Sequence, residues 1–183
     1  FPGKYSSKEV EEFVNNFKNL NKPAENKFEL VSGEDIRKYY LVNNYVEEKG
    51  DLGNSCMRYT RCQSYLNIYV ENPEIVRLLI YKNENDKILG RALIWKLKDE
   101  TYYLDRPYAN NDEDINLFKE WGRSKGYSVY GADYKNKEVT LDKSDFQYYP
   151  YMDTFSRYDY VTGELWNDMD KNQRTRGHIL TST

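Results

Sequence analysis

Apolar residues near the start of the chain recur with the period of an α-helix. Five of them occupy positions i, i+3, i+4, i+7 and i+10, and these are Val10, Phe13, Val14, Phe17 and Leu20. That spacing puts all five on one face of a helix. Ser6 and Glu9 have the separation of a capping box, and Pro23 lies in a polar break. We therefore predict an amphipathic helix within a separate N-terminal unit, residues 1–25.

Two further helices are predicted before the first long apolar run. A short one follows Ser32, and the polar residues 47–55 are expected to form a loop. Thr60 and Gln63 repeat the capping spacing. One apolar face then consists of Cys62, Tyr65, Leu66 and Tyr69. The pattern predicts a helix over 60–69 that ends before Pro73.

Beyond this point the period changes to that of strands. The runs at 75–82, 88–97 and 101–106 are separated by short polar turns, which predicts an antiparallel meander. Asn110, Asn111 and Asp112 are expected to cap a helix over 112–125 that ends at Gly126. Weaker strand patterns follow at 127–130 and 138–141, around a turn at 133–137.

These elements predict an α+β fold with a mainly antiparallel central sheet flanked by helices. A core domain is expected over 26–150. The aromatic and polar residues 151–183 are expected to form an extended C-terminal segment.

The charge and the apolar content of the sequence limit the kinds of molecule that the protein is expected to bind. The chain has 183 residues and a net charge of −3, with both signs interspersed. A general nucleic-acid binder needs a basic face, so nucleic acid is not favoured as a partner. No run approaches the roughly 20 apolar residues that span a bilayer, and the first residues lack the apolar core of a signal peptide. We expect a cytoplasmic protein with no membrane association.

Metal and disulfide chemistry are not expected. The chain has two cysteines, Cys56 and Cys62, and one histidine, His178, in the polar tail. Three candidates do not supply the four ligands of a tetrahedral zinc site. Cys62 falls on the predicted apolar helix face, where buried free thiols are common. We predict reduced cysteines, no metal and no cofactor.

The order of strands 75–82, 87–97 and 101–106, a helix at 112–125 and a strand from 127 resembles the central part of the Gcn5-related N-acetyltransferase (GNAT) fold. The resemblance covers about the middle third of the chain and implies an acyl-coenzyme A site before the helix. Such a site needs a glycine-rich, usually basic turn at the positive helix end. The sequence there has neither glycine nor a basic residue, and Asp112, Glu113 and Asp114 would repel a pyrophosphate. An acyltransferase with a degenerate site is therefore an alternative to a non-catalytic scaffold.

The whole chain also resembles bacteriophage-encoded proteins from AT-rich genomes. Three stretches carry this resemblance: LGNSCMRYTRCQSYLNIYVENPE, ILGRALIWKL and YYLDRPYANND. It implies a viral accessory protein in the host cytoplasm. The alternative that it implies is a virion or assembly component, which would form a homo-oligomer.

Several arginines are candidates for an anion site. Guanidinium groups bind carboxylate or phosphate through paired hydrogen bonds. The candidate ligand-binding residues are Arg58, Arg61, Arg91, Arg106, Asp105 and Cys56. In the alternative interpretation, Arg91 or Arg106 pairs internally with Asp105 or with a helix carboxylate. Cys56 precedes a predicted helix, but no activating base is near it in sequence, so no catalytic residue is predicted.

An aromatic tract near the C-terminus is the candidate surface for a protein partner. Tyrosine offers a large contact area at low entropic cost. The candidate residues are Tyr148, Tyr149, Tyr151, Phe155 and Tyr158. A loop pinned onto the sheet is an equally good interpretation. The leading functional prediction is a non-catalytic phage-type accessory protein that binds a macromolecule, such as a host factor.

Overall fold

The computed structural model describes residues 3, 5–20, 26–132 and 136–167. The predictions at 21–25, at 133–135 and at 168–183, which include Pro23 and His178, lie outside the described residues, as do the side chains of Phe17 and Leu20. The helices are α1 (Ser7–Leu20), α2 (Asp35–Lys38), α3 (Gly50–Gly53), α4 (Asn67–Val70) and α5 (Asp112–Ser124). The strands are β1 (Lys27–Val31), β2 (Val76–Lys82), β3 (Ile88–Lys96), β4 (Tyr102–Leu104), β5 (Tyr108–Ala109), β6 (Ser128–Val129), β7 (Glu138–Thr140), β8 (Arg157–Asp159) and β9 (Glu164–Trp166).

The main sheet confirms the α+β class and the predicted meander. Its strand order is β1-β2-β3-β4-β6, and β5 pairs with β3 beyond the end of β4. All of these pairings are antiparallel except that of β4 with β6, which is parallel because α5 crosses over between them. Leu78 lies opposite Leu93, and Ile94 lies opposite Leu104.

Helix α5 packs on one face of this sheet. Phe118 is fully buried against Leu79, Ala92 and Ile94. The approach is close, since a Cβ added at Gly90 would lie 2.7 Å from the Phe118 ring. The opposite face holds the larger core, which is centred on Trp95 and covered by α2, α4 and residues between 139 and 165.

Local capping differs among the predicted helices. In α1, Ser6 and Glu9 form the predicted capping box through three hydrogen bonds. Its apolar residues Val10, Phe13 and Val14 are nevertheless exposed, and Phe13 is 69% accessible. Asn111 is the N-cap of α5 but makes no side-chain capping bond. Asn110 instead donates to the carbonyl oxygens of Glu47 and Lys49.

The segment predicted as one α-helix over 60–69 is a 3₁₀ helix, Thr60–Leu66, followed by α4. Its predicted capping box is wrong. Gln63 donates to the carbonyl oxygen of Arg37, and Arg37 returns a hydrogen bond to the carbonyl oxygen of Gln63. Because the Gln63 side chain bonds to α2, it does not form the hydrogen bond that the predicted capping box requires. The 47–55 loop likewise contains α3, which the sequence pattern does not indicate.

Residues 138–166 contribute the three strands of a second sheet, so the described part of 151–183 is not an extended segment. The strand order of this sheet is β7-β9-β8. Phe155 and Leu165 are buried in the same core as Trp95, and the fully buried Asn72 side chain bonds to the backbone of Lys143. A domain boundary at residue 150 therefore divides this core. Strands of three residues are too short to show a clear alternation in sequence.

Candidate functional site

A cavity of about 280 Å³ lies between the main sheet and the segments around residues 51–57 and 151–153. Four of the six predicted ligand-binding residues line it: Cys56, Arg91, Asp105 and Arg106. The structure thus brings these four candidate side chains together at one cavity. Ser55, Tyr108 and Asp153 also line the cavity, and sequence reasoning did not single them out as ligand-binding residues.

A break between two strands exposes the charged residues to the cavity. β4 ends at Leu104 and β5 begins at Tyr108, yet both pair with β3. Pro107 has no N–H group for the ladder. Asp105 and Arg106 fall in this interruption, where their side chains reach the cavity instead of a neighbouring strand.

A glycine lets the covering segment approach the sheet. Gly50 has a φ of 66°, a conformation that side chains disfavour. A Cβ at this position would lie 2.5 Å from the carbonyl oxygen of Asn110. The contact, together with the Asn110 hydrogen bonds to Glu47 and Lys49, holds α3 and Ser55 above the sheet.

Arg91 is the central cation of the cavity, and it is only 2% exposed. Its Nη2 donates to Ser55 Oγ at 2.9 Å, and its guanidinium carbon lies 4.1 Å from the centroid of the Tyr40 ring. Its Nε and Nη1 atoms have no hydrogen-bond partner among the residues that the structure describes. In the described part of the chain no carboxylate forms an ion pair with it. The internal pairing of Arg91 considered from sequence is therefore wrong.

Arg106 is neutralised by other carboxylates than the expected one. Its Nη1 lies 3.1 Å from Asp153 Oδ1, and its Nη2 lies 3.6 Å from Asp51 Oδ2. Tyr108 donates to the other oxygen of Asp153 at 2.6 Å. The group of Arg106 that donates to Asp105 is its backbone N–H and not its guanidinium. The pairing of the Arg106 side chain with Asp105 is thus wrong, and Asp153 takes that role.

Asp105 is a buried carboxylate held by three donors. Its Oδ1 accepts from Thr154 Oγ1 at 2.7 Å and from the N–H of Arg106 at 2.8 Å, and its Oδ2 accepts from Trp95 Nε1 at 3.2 Å. Burial raises the pKa of Asp105 from 3.8 to about 6, although the hydrogen bonds oppose this shift. The carboxyl group therefore titrates near neutral pH.

The raised pKa predicts a pH-dependent contribution to stability. The folded state binds the Asp105 proton more tightly than the unfolded state, so stability falls as pH rises from about 4 to about 6. We expect the free energy of unfolding of the wild type, relative to Asp105→Asn, to be about 3 kcal/mol lower at pH 7 than at pH 3.5. Urea unfolding across this range measures it. A difference that is independent of pH, or a carboxyl titration near pH 4 by NMR, would contradict it.

Arg58 and Arg61 lie outside the cavity lining. Both guanidinium groups pack against the ring of Tyr59, at 4.3 and 4.2 Å from its centroid. Arg58 also donates to the carbonyl oxygen of Ser55 and lies 3.6 Å from Glu48. Arg58 and Arg61 therefore do not join Arg91 and Arg106 in one anion site, because they pack on Tyr59 beside the cavity, with Arg58 partly buried and Arg61 exposed.

The two cysteines are free and differ in exposure. Cys56 is exposed at the cavity, whereas Cys62 is buried and donates to the carbonyl oxygen of Cys56 at 3.3 Å. We expect one equivalent of rapid labelling by a thiol reagent in the native state, lost in Cys56→Ser and retained in Cys62→Ser. Two equivalents should react in denaturant. Slow labelling of Cys56 in the native protein would contradict the exposure seen here.

Some residues of the aromatic tract are buried in the core, and others are exposed on the surface. Phe155 is 1% exposed and Tyr158 is buried beside it, so their assignment to a partner surface is wrong. Tyr149 is half-buried and donates to the carbonyl oxygen of Ser144. Tyr148 and Tyr151 remain exposed, and Tyr151 also lines the cavity.

Comparison with protein-family models, curated proteins and solved structures finds no match. The GNAT and bacteriophage resemblances stay predictions. The three stretches that carried the bacteriophage resemblance nevertheless meet at this cavity, through Cys56, Arg91 and Asp105. Among the residues that the structure describes, no helix has the length and apolar character to cross a bilayer. In the same residues, no three potential ligands cluster to hold a metal ion.

Proposed function

We propose that the protein binds a small anionic ligand in this cavity, with the carboxylate or phosphate of the ligand on the guanidinium of Arg91. One observation carries the proposal. Arg91 is buried, and two of its three nitrogens have no partner in the described ranges 5–20, 26–132 and 136–167.

The energetic cost of such a group supports this function. A buried charge costs several kcal/mol unless it is paired, and packing against the Tyr40 ring recovers only about 1–2 kcal/mol. An anion bound at Nε or Nη1 supplies the missing partner. The cavity of about 280 Å³ lies just below the usual volume of a drug-sized site, which favours a small ligand.

Thermal shift and calorimetry with acetate and inorganic phosphate test the proposal. We expect saturable stabilisation at millimolar anion, which disappears in Arg91→Met and persists in Arg77→Met. Arg77 is a matched control because it lies on β2 with its side chain over Tyr102, on the opposite sheet face. Equal responses of the two variants, or no response of the wild type to either anion, would overturn the proposal.

The exposed tyrosines support a second candidate function, the binding of a protein partner. Tyr151 is 53% exposed, and Tyr148 lies close to it in sequence and is also exposed. We propose Tyr148 and Tyr151 as the partner contact in a phage-type accessory role. A pull-down from host lysate should enrich one protein, and Tyr148→Ala with Tyr151→Ala should abolish this. Retention of the protein by the double variant would exclude this surface.

The two alternatives, an acyltransferase and a virion component, predict different experimental results. Saturable binding of acetyl-coenzyme A would favour a degenerate acyltransferase. Stable self-association in sedimentation experiments would favour an assembly component. Neither outcome is expected from a cavity whose unneutralised cation accepts one small anion.

A further inference from the structure

We infer that the ligand is a small zwitterion of the amino-acid type with an apolar side chain, with its carboxylate on Arg91 and its ammonium group on Asp105. The inference rests on the proposed function, since it names the class of ligand that the same cavity takes.

The two charged residues are neighbours on one face of the main sheet. The Asp105 N–H donates to the carbonyl oxygen of Leu93, so Asp105 lies beside Leu93, two residues from Arg91 on β3. Diagonal neighbours of this kind have Cα atoms about 7–8 Å apart, and both side chains line the same cavity. An α-amino acid carries its ammonium and carboxylate groups on one carbon, so a single small ligand can hydrogen-bond to two neighbouring side chains of opposite charge.

Charge balance in the cavity favours a zwitterion over a simple anion. Three carboxylates line it, those of Asp51, Asp105 and Asp153, together with Arg91 and Arg106. Arg106 already pairs with Asp51 and Asp153. Within the described part of the chain, the guanidinium of Arg91 and the carboxylate of Asp105 therefore remain without an ionic partner. A simple anion would neutralise Arg91 but place a second negative charge close to Asp105.

Asp105 has room for one more donor. Each carboxylate oxygen accepts about two hydrogen bonds. Oδ1 accepts two, from Thr154 and from the N–H of Arg106, whereas Oδ2 accepts one, from Trp95. An ammonium group at Oδ2 would complete the set, in the way that buried charges in proteins are usually satisfied.

The rest of the lining indicates the side chain of the ligand. Apolar and aromatic groups surround the charged pair, and these are Tyr40, Met57, Tyr69, Leu78, Tyr108 and Met152. Pockets of this composition favour apolar ligand groups. A branched aliphatic or aromatic amino acid is the expected match within the available volume.

Calorimetry with matched ligands tests this inference. The probes are L-leucine, 4-methylpentanoate, which lacks the ammonium group, and 3-methylbutylamine, which lacks the carboxylate; L-phenylalanine and its two analogues form a second set. At pH 7 we expect at least one of the two amino acids to bind about tenfold or more tightly than either of its analogues. Asp105→Asn should remove this preference, Arg91→Met should remove binding, and Asp112→Asn, at an exposed position, should change neither.

The pH dependence distinguishes the two classes of ligand in the wild type, so it does not depend on the folding of a variant. Protonation of Asp105, whose pKa is about 6, removes the partner of an ammonium group. Amino-acid binding should weaken as pH falls through 6, whereas binding of 4-methylpentanoate should strengthen. The other charged or titratable groups around Asp105 that enter this balance are Asp51, Asp153, Arg91, Arg106, Tyr40, Tyr69, Tyr103, Tyr108 and Tyr130.

The outcomes separate this inference from the proposed function. If 4-methylpentanoate or phosphate binds through Arg91 as tightly as leucine and phenylalanine do, the zwitterion inference is wrong and the anion site stands. If none of the carboxylate ligands nor phosphate binds at millimolar concentration, both are wrong.

Discussion

Replacing Arg91 by methionine should abolish anion binding and raise the free energy of unfolding of the ligand-free protein by about 1–4 kcal/mol. The side chain is 2% exposed, and its Nε and Nη1 atoms are without partners in the portion of the chain that the structure describes. Methionine keeps much of the contact with the Tyr40 ring and removes the buried charge. The loss of the hydrogen bond to Ser55 Oγ costs less, about 1 kcal/mol.

Urea unfolding of the ligand-free protein measures this effect, with Arg77→Met as control. Arg77 is partly exposed on the opposite sheet face, so its replacement should change stability by about 0.5 kcal/mol or less. A trade of stability for a ligand site is common in binding proteins. Destabilisation by Arg91→Met of more than about 2 kcal/mol would show that the guanidinium is satisfied within the fold and would contradict its role as a ligand group.

Replacing Phe155 by alanine should lower the free energy of unfolding by about 3–5 kcal/mol. Phe155 is 1% exposed, and its ring packs edge-on against Trp95 with centroids 5.0 Å apart. Trp95 is at the centre of the larger core. Residues 151–167 are thus a part of the domain, and removing this ring leaves a cavity beneath the sheet.

Thermal and urea unfolding measure the loss, and Tyr160→Ala is the matched control. Tyr160 belongs to the same aromatic tract but is 62% exposed, so its replacement should cost about 0.5 kcal/mol or less. Because the C-terminal residues Met152 and Asp153 line the anion cavity, Phe155→Ala should also weaken anion binding. Equal and small effects of the two substitutions would mean that the segment is only loosely attached to the core.

The spacing of apolar residues in the sequence predicted the elements that are long and buried on at least one side. Strands β2 and β3 alternate or run apolar for 7 and 9 residues, and α5 has one apolar face over 13 residues. Such patterns recur often enough to identify the element. Strand β5 has two residues, and β8 and β9 have three each. They exist through pairing with distant segments and leave almost no local signal.

Part of the candidate site could be predicted from the sequence, because some of its residues are unusual in their local context. Arginines are uncommon in the middle of apolar strands, so Arg91 within ILGRALIW stands out by residue type alone. Asp105 and Arg106 stand out beside the strand-ending Pro107. Asp153 lies 45 residues or more from Arg106 and Tyr108 in the chain, and no local pattern links it to them.

Local sequence determined the amphipathic α1, the meander, the crossover helix and the residue types available for anion chemistry, because each depends on neighbours only a few positions away. The tertiary structure alone decided which charges remain unpaired. Asp51 and Asp153 neutralise Arg106, while Arg91 is left without a carboxylate. It also decided that Phe155 belongs to the core and Tyr151 to the surface. Pairing and burial depend on contacts between segments far apart in the chain, and these contacts exist only once the chain has folded.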